Sequence, residues 1–313
     1  MILVVSHAGD DHAVAVLSSL SRAGHAAALV DTSKFPQNAC LTERFEDDQS
    51  HFQLSIDDNH IDLSSCRAGW WRRPQALVVD SRMSPAAASF SYSECHEALA
   101  GLWPSLNLKW VNPPHLDEVA HHKPYQLAVA TEVGLRIPRT VITNDPTVAR
   151  KFIEELAPQR CVYKTFLASE TCWRETRVIQ PNEVEMLDAV RHAPVIFQEY
   201  IPAEADMRVT VVGPKMFPAA ITPAPGGYDV DYRMDMAGAM FQPATLDSDI
   251  KQGIRKLMDR LGLVYGAIDL RRTPDGDVFL EINPAGEWQF VEERTGQPIT
   301  DSMAELLAEF DRA

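Results

Sequence analysis

Residues 1–5 form an unbroken apolar run, and after Ser6-His7-Ala8-Gly9-Asp10 the apolar positions Ala13, Val16, Leu17 and Leu20 recur at helical spacing up to Gly24. A run without alternation predicts a strand covered on both faces, and the spacing behind it predicts an amphipathic helix. Residues 25–30 predict a second strand. Two parallel strands need a crossover, which this helix supplies, so the opening predicts a parallel α/β layer. His7-Ala8-Gly9 lacks the glycine spacing of a dinucleotide turn, which argues against such a site here.

Two polar segments, residues 41–45 and 51–56, predict a hairpin, residues 68–74 a strand ending at Pro74, and residues 85–102 a helix. Trp110-Val111-Asn112-Pro113-Pro114 reads as a boundary, because the prolines interrupt both periods. Beyond it the pattern predicts a helix over 123–133, a strand over 137–143 stopped by Asn144-Asp145-Pro146, a helix through Ile153 and Leu156, and a strand over 161–166. Residues 167–176 show no period and read as a loop; strands follow at 195–201 and 207–212. Ile250, Ile254, Leu257 and Leu261 share one stripe of a helix over 247–261. Thr273-Pro274-Asp275-Gly276-Asp277 is turn chemistry joining strands 264–270 and 278–282, and a terminal helix capped by Thr300 or Asp301 follows.

A length of 313 residues accommodates two or three domains that need neither disulfide nor metal to fold. The five cysteines, Cys40, Cys66, Cys95, Cys161 and Cys172, contain no C-x-x-C pair and are odd in number. This argues against a zinc ribbon and an exported disulfide framework, and points to a reducing cytoplasm. No apolar run approaches the ~18 residues of a membrane span, and residues 1–5 lack the flank of a signal peptide. The net charge of -15 disfavours nucleic acid and anionic membranes as partners, while leaving room for a local basic pocket.

Asp269 lies near the end of one strand of the last hairpin; Glu281 and Asn283, two apart on the other, share a face. Three hard oxygen donors brought together suit Mg²⁺; the alternative is a solvated hairpin with Asn283 opening an Asn-Pro turn. Lys164 sits in the apolar strand Val162-Tyr163-Lys164, where an ammonium calls for an anion, and Lys123 opens a helix, where solvent exposure is the simpler explanation. Gln198-Glu199-Tyr200-Ile201-Pro202 ends a strand at a proline, leaving backbone groups beyond it for a flat heteroaromatic ring, or forming an ordinary core strand. In Asp206-Met207-Arg208 the arginine alternates with Val209 and Val211, which turns its planar fork toward a polar cleft unless it pairs with Asp206 or Glu204 at the surface.

In this order the pieces resemble the ATP-grasp superfamily, through Lys123, Lys164, Gln198 to Pro202, Asp206-Met207-Arg208, Asp269 and Phe279-Leu280-Glu281-Ile282-Asn283-Pro284. Trp70-Trp71-Arg72-Arg73-Pro74, His122-Lys123-Pro124 and Glu281-Ile282-Asn283-Pro284-Ala285-Gly286, followed by Glu292-Glu293-Arg294-Thr295-Gly296-Gln297-Pro298-Ile299, look like the microviridin-type (graspetide) peptide ligases. The likeness runs over nearly the whole chain. It implies an α/β protein with an N-terminal parallel α/β pre-ATP-grasp domain (1–112), a central ATP-grasp lobe (113–194) and a C-terminal ATP-grasp lobe with the magnesium site (195–313).

The resemblance further implies that Lys123 and Lys164 hold the phosphates of ATP, that Gln198, Glu199, Tyr200 and Ile201 hold adenine, with Asp206 in the nucleotide set, and that Asp269, Glu281 and Asn283 bind Mg²⁺. Arg208, and Arg233 as a second candidate, would stabilise an acyl phosphate; Tyr232 departs from the family's Asp-Trp-Arg-like segment and leaves the role of Arg233 open. Residues 167–176 would close over ATP, and Cys172 to Arg177 with a helix near 182–190 would engage a leader. The implied partner is a precursor peptide of leader plus core, and the implied assembly a homodimer. Two other readings are a glutathione-synthetase-like ligase joining an amino acid or small amine to a carboxylate, and a non-catalytic ATP-binding protein.

Overall fold

The computed structural model describes residues 1–57, 59–166, 176–224, 234 and 236–313. The predicted opening strand is Ile2–Val5, with every residue buried, and it is central in a four-stranded parallel sheet. Its neighbours are Ala27–Val30 on one side and Ala68–Trp71 on the other, with Lys109–Val111 beyond. Alternation along the strands sorts the two faces. Ile2, Val4 and Trp70 pack on the helix Asp11–Arg22, the terminal helix Ile299–Arg312 and Trp288. Leu3, Val5 and Trp110 pack on Leu99, Leu102 and Trp103 of the helix Pro85–Ser105 and on a three-stranded antiparallel sheet, Ala39–Glu46, Gln49–Ile56 and Asn59–Asp62.

A second four-stranded sheet has the order Arg177–Val178, Cys161–Lys164, Val195–Glu199, Thr140–Thr143, with each neighbouring pair antiparallel. The helix Pro146–Leu156 and the turn of helix Leu187–His192 cover it through Ala149, Leu156 and Leu187. Val195–Glu199, assigned from the sequence to the third segment, pairs within this second sheet. The five-stranded antiparallel sheet runs Met240–Pro243, Lys215–Thr222, Ala205–Val212, Tyr265–Thr273, Gly276–Asn283. Met207, Val209, Val211, Ile268, Leu270, Phe279 and Ile282 form one core with Ile254, Leu257 and Leu261 of the helix Ser248–Leu261 and with Val129 of the helix Lys123–Glu132. No helix among the described residues is long and apolar enough to cross a membrane.

Several elements differ from expectation for identifiable reasons. Lys215–Thr222 carries Pro218 in mid-strand, which masks it as a strand in sequence; Val209 is its register partner. The short helix Gln289–Thr295 takes its cap from another part of the fold, His12 Nε2 receiving the Trp288 and Gln289 N–H groups at 3.0 and 3.3 Å. Neither Thr300 nor Asp301 caps the terminal helix: Thr300 is bound to Glu292, and Asp301 receives the Ser19 hydroxyl at 2.7 Å. Of the loop expected over 167–176 and the stretch 172–177 expected to engage a leader, residues 167–175 lie outside the described residues, as does Arg233, whereas Arg177 opens the strand Arg177–Val178.

Candidate active-site cleft

Alternation in the five-stranded sheet places Arg208 and Asp269 on the face opposite Val209 and Ile268, and the register sets them directly across from each other. Asp269 in turn faces Glu281 on the next strand. A register shift between Asp269 and Leu270 makes this possible. Phe279 pairs with Leu270 and joins the core, whereas Glu281, two residues on, pairs with Asp269 and leaves it; the extra residue Leu280 absorbs the change of face. The result is a transverse row of guanidinium, carboxylate and carboxylate.

Within the row Arg208 Nη1 holds both Asp269 oxygens, at 2.8 and 3.0 Å, and Nη2 donates to the Glu287 carbonyl at 3.0 Å. Arg208 and Asp269 side chains retain 8% and 15% of their exposure, so little solvent screens the pair. Lys123 Nζ pairs with Glu281 Oε2. Its helix is held to the hairpin by the buried Gln126, whose amide donates to the Ala120 and Ile282 carbonyls and whose oxygen receives the Ile282 N–H. Asn283 follows at the end of the strand, exposed, its oxygen receiving the Ala285 N–H at 3.0 Å. Asp269, Glu281 and Asn283 thus share one sheet face, although Asp269 stands in the middle of Tyr265–Thr273, which runs past the end expected near residue 270. Among the described residues no three His, Cys, Asp or Glu side chains are grouped to hold a metal. The available donor set is therefore two carboxylates and a carboxamide, hard oxygen donors whose charge Arg208 and Lys123 now balance.

Lys164, opposite Ile196 in the second sheet, lines a small cavity with Gln198, Glu199, Tyr200, Ile201 and Leu280. Two sheets contribute to it, because the bulged Leu280 comes from the hairpin that carries Glu281. Tyr200 has two guanidiniums beside it, Arg160 at 3.9 Å and Arg271 at 5.4 Å from its ring centre. The Gln198 side chain is committed to Thr140 Oγ1 at 2.9 Å and the Glu199 carboxylate receives the Arg139 N–H. Asp206 pairs with the buried Arg271 at 2.9 Å, and Arg271 also binds the Ile201 carbonyl. Arg271 was not singled out in the sequence; its place two residues after Asp269 on an alternating strand was the available signal.

The third wall is the turn after Asn283, gripped from the N-terminal sheet. Arg72, fully buried, donates to Ala285 and Gly286 carbonyls and pairs with Asp10 at 3.2 Å, its guanidinium 5.9 and 5.4 Å from the ring centres of Trp70 and Trp288. Arg73 pairs with Glu287 at 2.7 Å. The Asn112 amide donates to the Pro284 and Tyr265 carbonyls at 3.1 and 3.0 Å. Tyr265 gives its hydroxyl to the Gly286 carbonyl at 2.7 Å, and burial pushes that hydroxyl up to about 12, which keeps it a donor. Burial alone would raise the Asp10 carboxyl, yet His12, the Arg72 charge and Ser6 together hold it well below the usual range. Burial likewise opposes ionisation of Glu287, and the Arg73 hydrogen bond and charge outweigh it, so this carboxyl is lowered. The sequence motifs already contained Trp70, Arg72, Arg73, Asn112 and Pro284 to Gly286, but attached no role in this contact to any of them; Asp10, Tyr265, Glu287 and Trp288 were not singled out.

Comparison with known proteins identifies the family. The family model of the MvdD pre-ATP grasp domain matches residues 1–119, and that of the RimK-like ATP-grasp domain matches residues 120–307. The crystal structure of macrocyclase MdnC bound with precursor peptide MdnA, from Microcystis aeruginosa, is 30% identical, with a TM-score of 0.87 over 98% of this chain and 99% of that one. A RiPP-associated ATP-grasp ligase of Chryseobacterium gregarium, in complex with ADP and a leader and core peptide, is 25% identical with a TM-score of 0.88, covering 98% and 96%. A probable alpha-L-glutamate ligase of Shewanella amazonensis is 24% identical over 187 residues, 58% of this chain. The chain spans 61% of the length of that curated relative. With both segments matched in turn, the chain belongs to the RimK-like ATP-grasp family and carries an MvdD-type pre-ATP-grasp domain in front.

Proposed function

We propose that the protein is an ATP- and Mg²⁺-dependent ligase that activates a side-chain carboxylate of a ribosomal precursor peptide and closes an intramolecular ester or amide. The supporting observation is end-to-end similarity to a peptide macrocyclase, combined with the Arg208, Asp269, Glu281 row beside the Lys164 cavity. In this reading the cavity at Gln198 to Ile201 takes adenine. Among the described residues the Ile201 N–H has no hydrogen-bond partner and is available to a ring nitrogen. Lys123 and Lys164 hold phosphates, and Asp206 acts at one remove, by fixing Arg271 beside Tyr200.

Asp269, Glu281 and Asn283 would hold Mg²⁺, which supplies neutralising charge between carboxylate and triphosphate. One carboxylate oxygen attacks the γ-phosphorus and ADP leaves; a hydroxyl or amine then attacks the acyl carbon, phosphate leaves and a proton is released. Arg208 binds the anion that develops at both stages, and Arg233 is the second candidate for that work. Lys123 exchanges Glu281 for a phosphate oxygen. The proposal includes a cytoplasmic homodimer, checked by sedimentation of the purified protein, and the segment limits 1–112, 113–194 and 195–313.

Incubation with ATP, Mg²⁺ and the peptide encoded beside the gene is expected to release ADP and remove one water per ring. The likeness to alpha-L-glutamate ligases favours a second reading, ligation of a free amino acid to a carboxylate. A mass gain that depends on added glutamate, with no loss of water from any peptide, would replace the first reading by the second.

A further inference from the structure

Arg73 follows the strand Ala68–Trp71 at its carboxyl end. From Ile2–Val5 the chain runs to Ala27–Val30 on one side and later to Ala68–Trp71 on the other, so the order of strands reverses here. The crevice outside the carboxyl ends at such a reversal is where open parallel sheets bind ligands. Arg73 Nη2 donates to Glu287 Oε1 at 2.7 Å, while the Glu287 carbonyl receives Arg208 Nη2 at 3.0 Å. One residue therefore bridges two guanidiniums, with its carboxylate at Arg73 and its backbone at Arg208.

The neighbouring arginines are built differently. Arg72 is 0% exposed and its partners are two carbonyls and Asp10, the contacts of a structural residue. Arg73 and Glu287 side chains are 40% and 51% exposed. An exposed ion pair adds little to stability, so a second carboxylate can displace the first at small cost, and the planar fork of arginine fits either. A chain of net charge -15 also needs local cations to admit an acidic peptide at all.

We propose that Arg73 binds a side-chain carboxylate of the peptide substrate at the mouth of the Arg208 site, and that Glu287 occupies this position until the peptide displaces it. This rests on the peptide-ligase reading and adds to it a subsite for an acidic residue, contributed by the N-terminal sheet.

The test is binding of a fluorescein-labelled hexapeptide of alternating glutamate and threonine at low salt, with a glutamine-for-glutamate hexapeptide as reference. Arg73→Gln is expected to weaken the acidic peptide roughly tenfold, Arg73→Lys less, and Glu287→Gln to tighten it several-fold, with the reference peptide indifferent to all three. A pair that only clips two sheets together gives the opposite pattern: both neutral variants then act alike. That result, or equal binding of the two peptides by the unmodified protein, overturns the assignment. Binding of Mg²⁺-ADP by the same samples separates the two levels, since its absence from the unmodified protein would sink the ligase reading itself.

Discussion

Arg208 and Asp269 form the least exposed charge pair of the cleft row, with the guanidinium bound to both carboxylate oxygens. Asp269→Asn leaves the shape and removes the charge that an incoming cation would need. Peptide-dependent ADP release is expected to fall by about 100-fold, with the Mg²⁺ concentration required for half-maximal rate moved upward. A variant with normal Mg²⁺ dependence would place the metal elsewhere. The cysteines make a second prediction at this scale. Burial pushes the Cys66 thiol up to about 11 and the Cys161 thiol up to about 12, while Cys40 is exposed. Because the thiolate is the reactive form, peptide mapping after brief alkylation at pH 8 should find Cys40 labelled and Cys66 and Cys161 untouched until urea is added.

Among the elements, the turn after Asn283 leaves no room for a side chain at Gly286. A Cβ on Gly286 would stand 2.4 Å from the Ala267 Cβ and 3.1 Å from Arg208 Nη2, so Gly286→Ala must displace the turn or the guanidinium. Activity is expected to drop at least tenfold with an unchanged circular dichroism spectrum, whereas Leu257→Ala, in the core behind the sheet, should cost about 2–5 kcal/mol of stability and leave nucleotide affinity intact. Elements with strong periods were legible from sequence: the strand Ile2–Val5, the helix Ser248–Leu261 with Ile254, Leu257 and Leu261 inward, and the hairpin bearing Asp269 and Glu281. The register shift that turns Glu281 out of the core was not, because a bulge is a property of two strands and only one is read at a time. Nor was the cap of the helix Gln289–Thr295, whose acceptor His12 is 277 residues away from Gln289. Lys123, Lys164, Arg208, Asp269 and Glu281 could be singled out by order and spacing along the chain, whereas Arg271, Asn112 and Glu287 owe their roles to partners distant in sequence: Ile201 and Asp206, Tyr265 and Pro284, and Arg73.

At the scale of the whole molecule, the cleft depends on how the N-terminal sheet grips the turn of the C-terminal one, and that grip centres on Arg72 with Asp10. Both side chains are buried, at 0% and 1% exposure, so the pair is not screened by solvent. Breaking a buried pair by neutralising one partner leaves the other charge uncompensated, and Asp10→Asn is expected to cost about 3–5 kcal/mol near neutral pH. The pH dependence follows from the lowered Asp10 carboxyl. In the unfolded chain this group protonates near ~3.9, and in the folded protein only at lower pH, so between the two values the unfolded state binds more protons and stability rises with pH. The contribution is complete above the unfolded value and is lost as pH falls toward the folded one. Urea melts at pH 3, 4, 5 and 7 should therefore show the unmodified protein and Asp10→Asn separated by a constant gap at pH 5 and 7, narrowing below pH 4 by about 1.4 kcal/mol per pH unit. A gap that stays constant down to pH 3 would mean that Arg72 draws its compensation from the turn carbonyls alone, and that the charge of Asp10 plays no part in joining the two sheets.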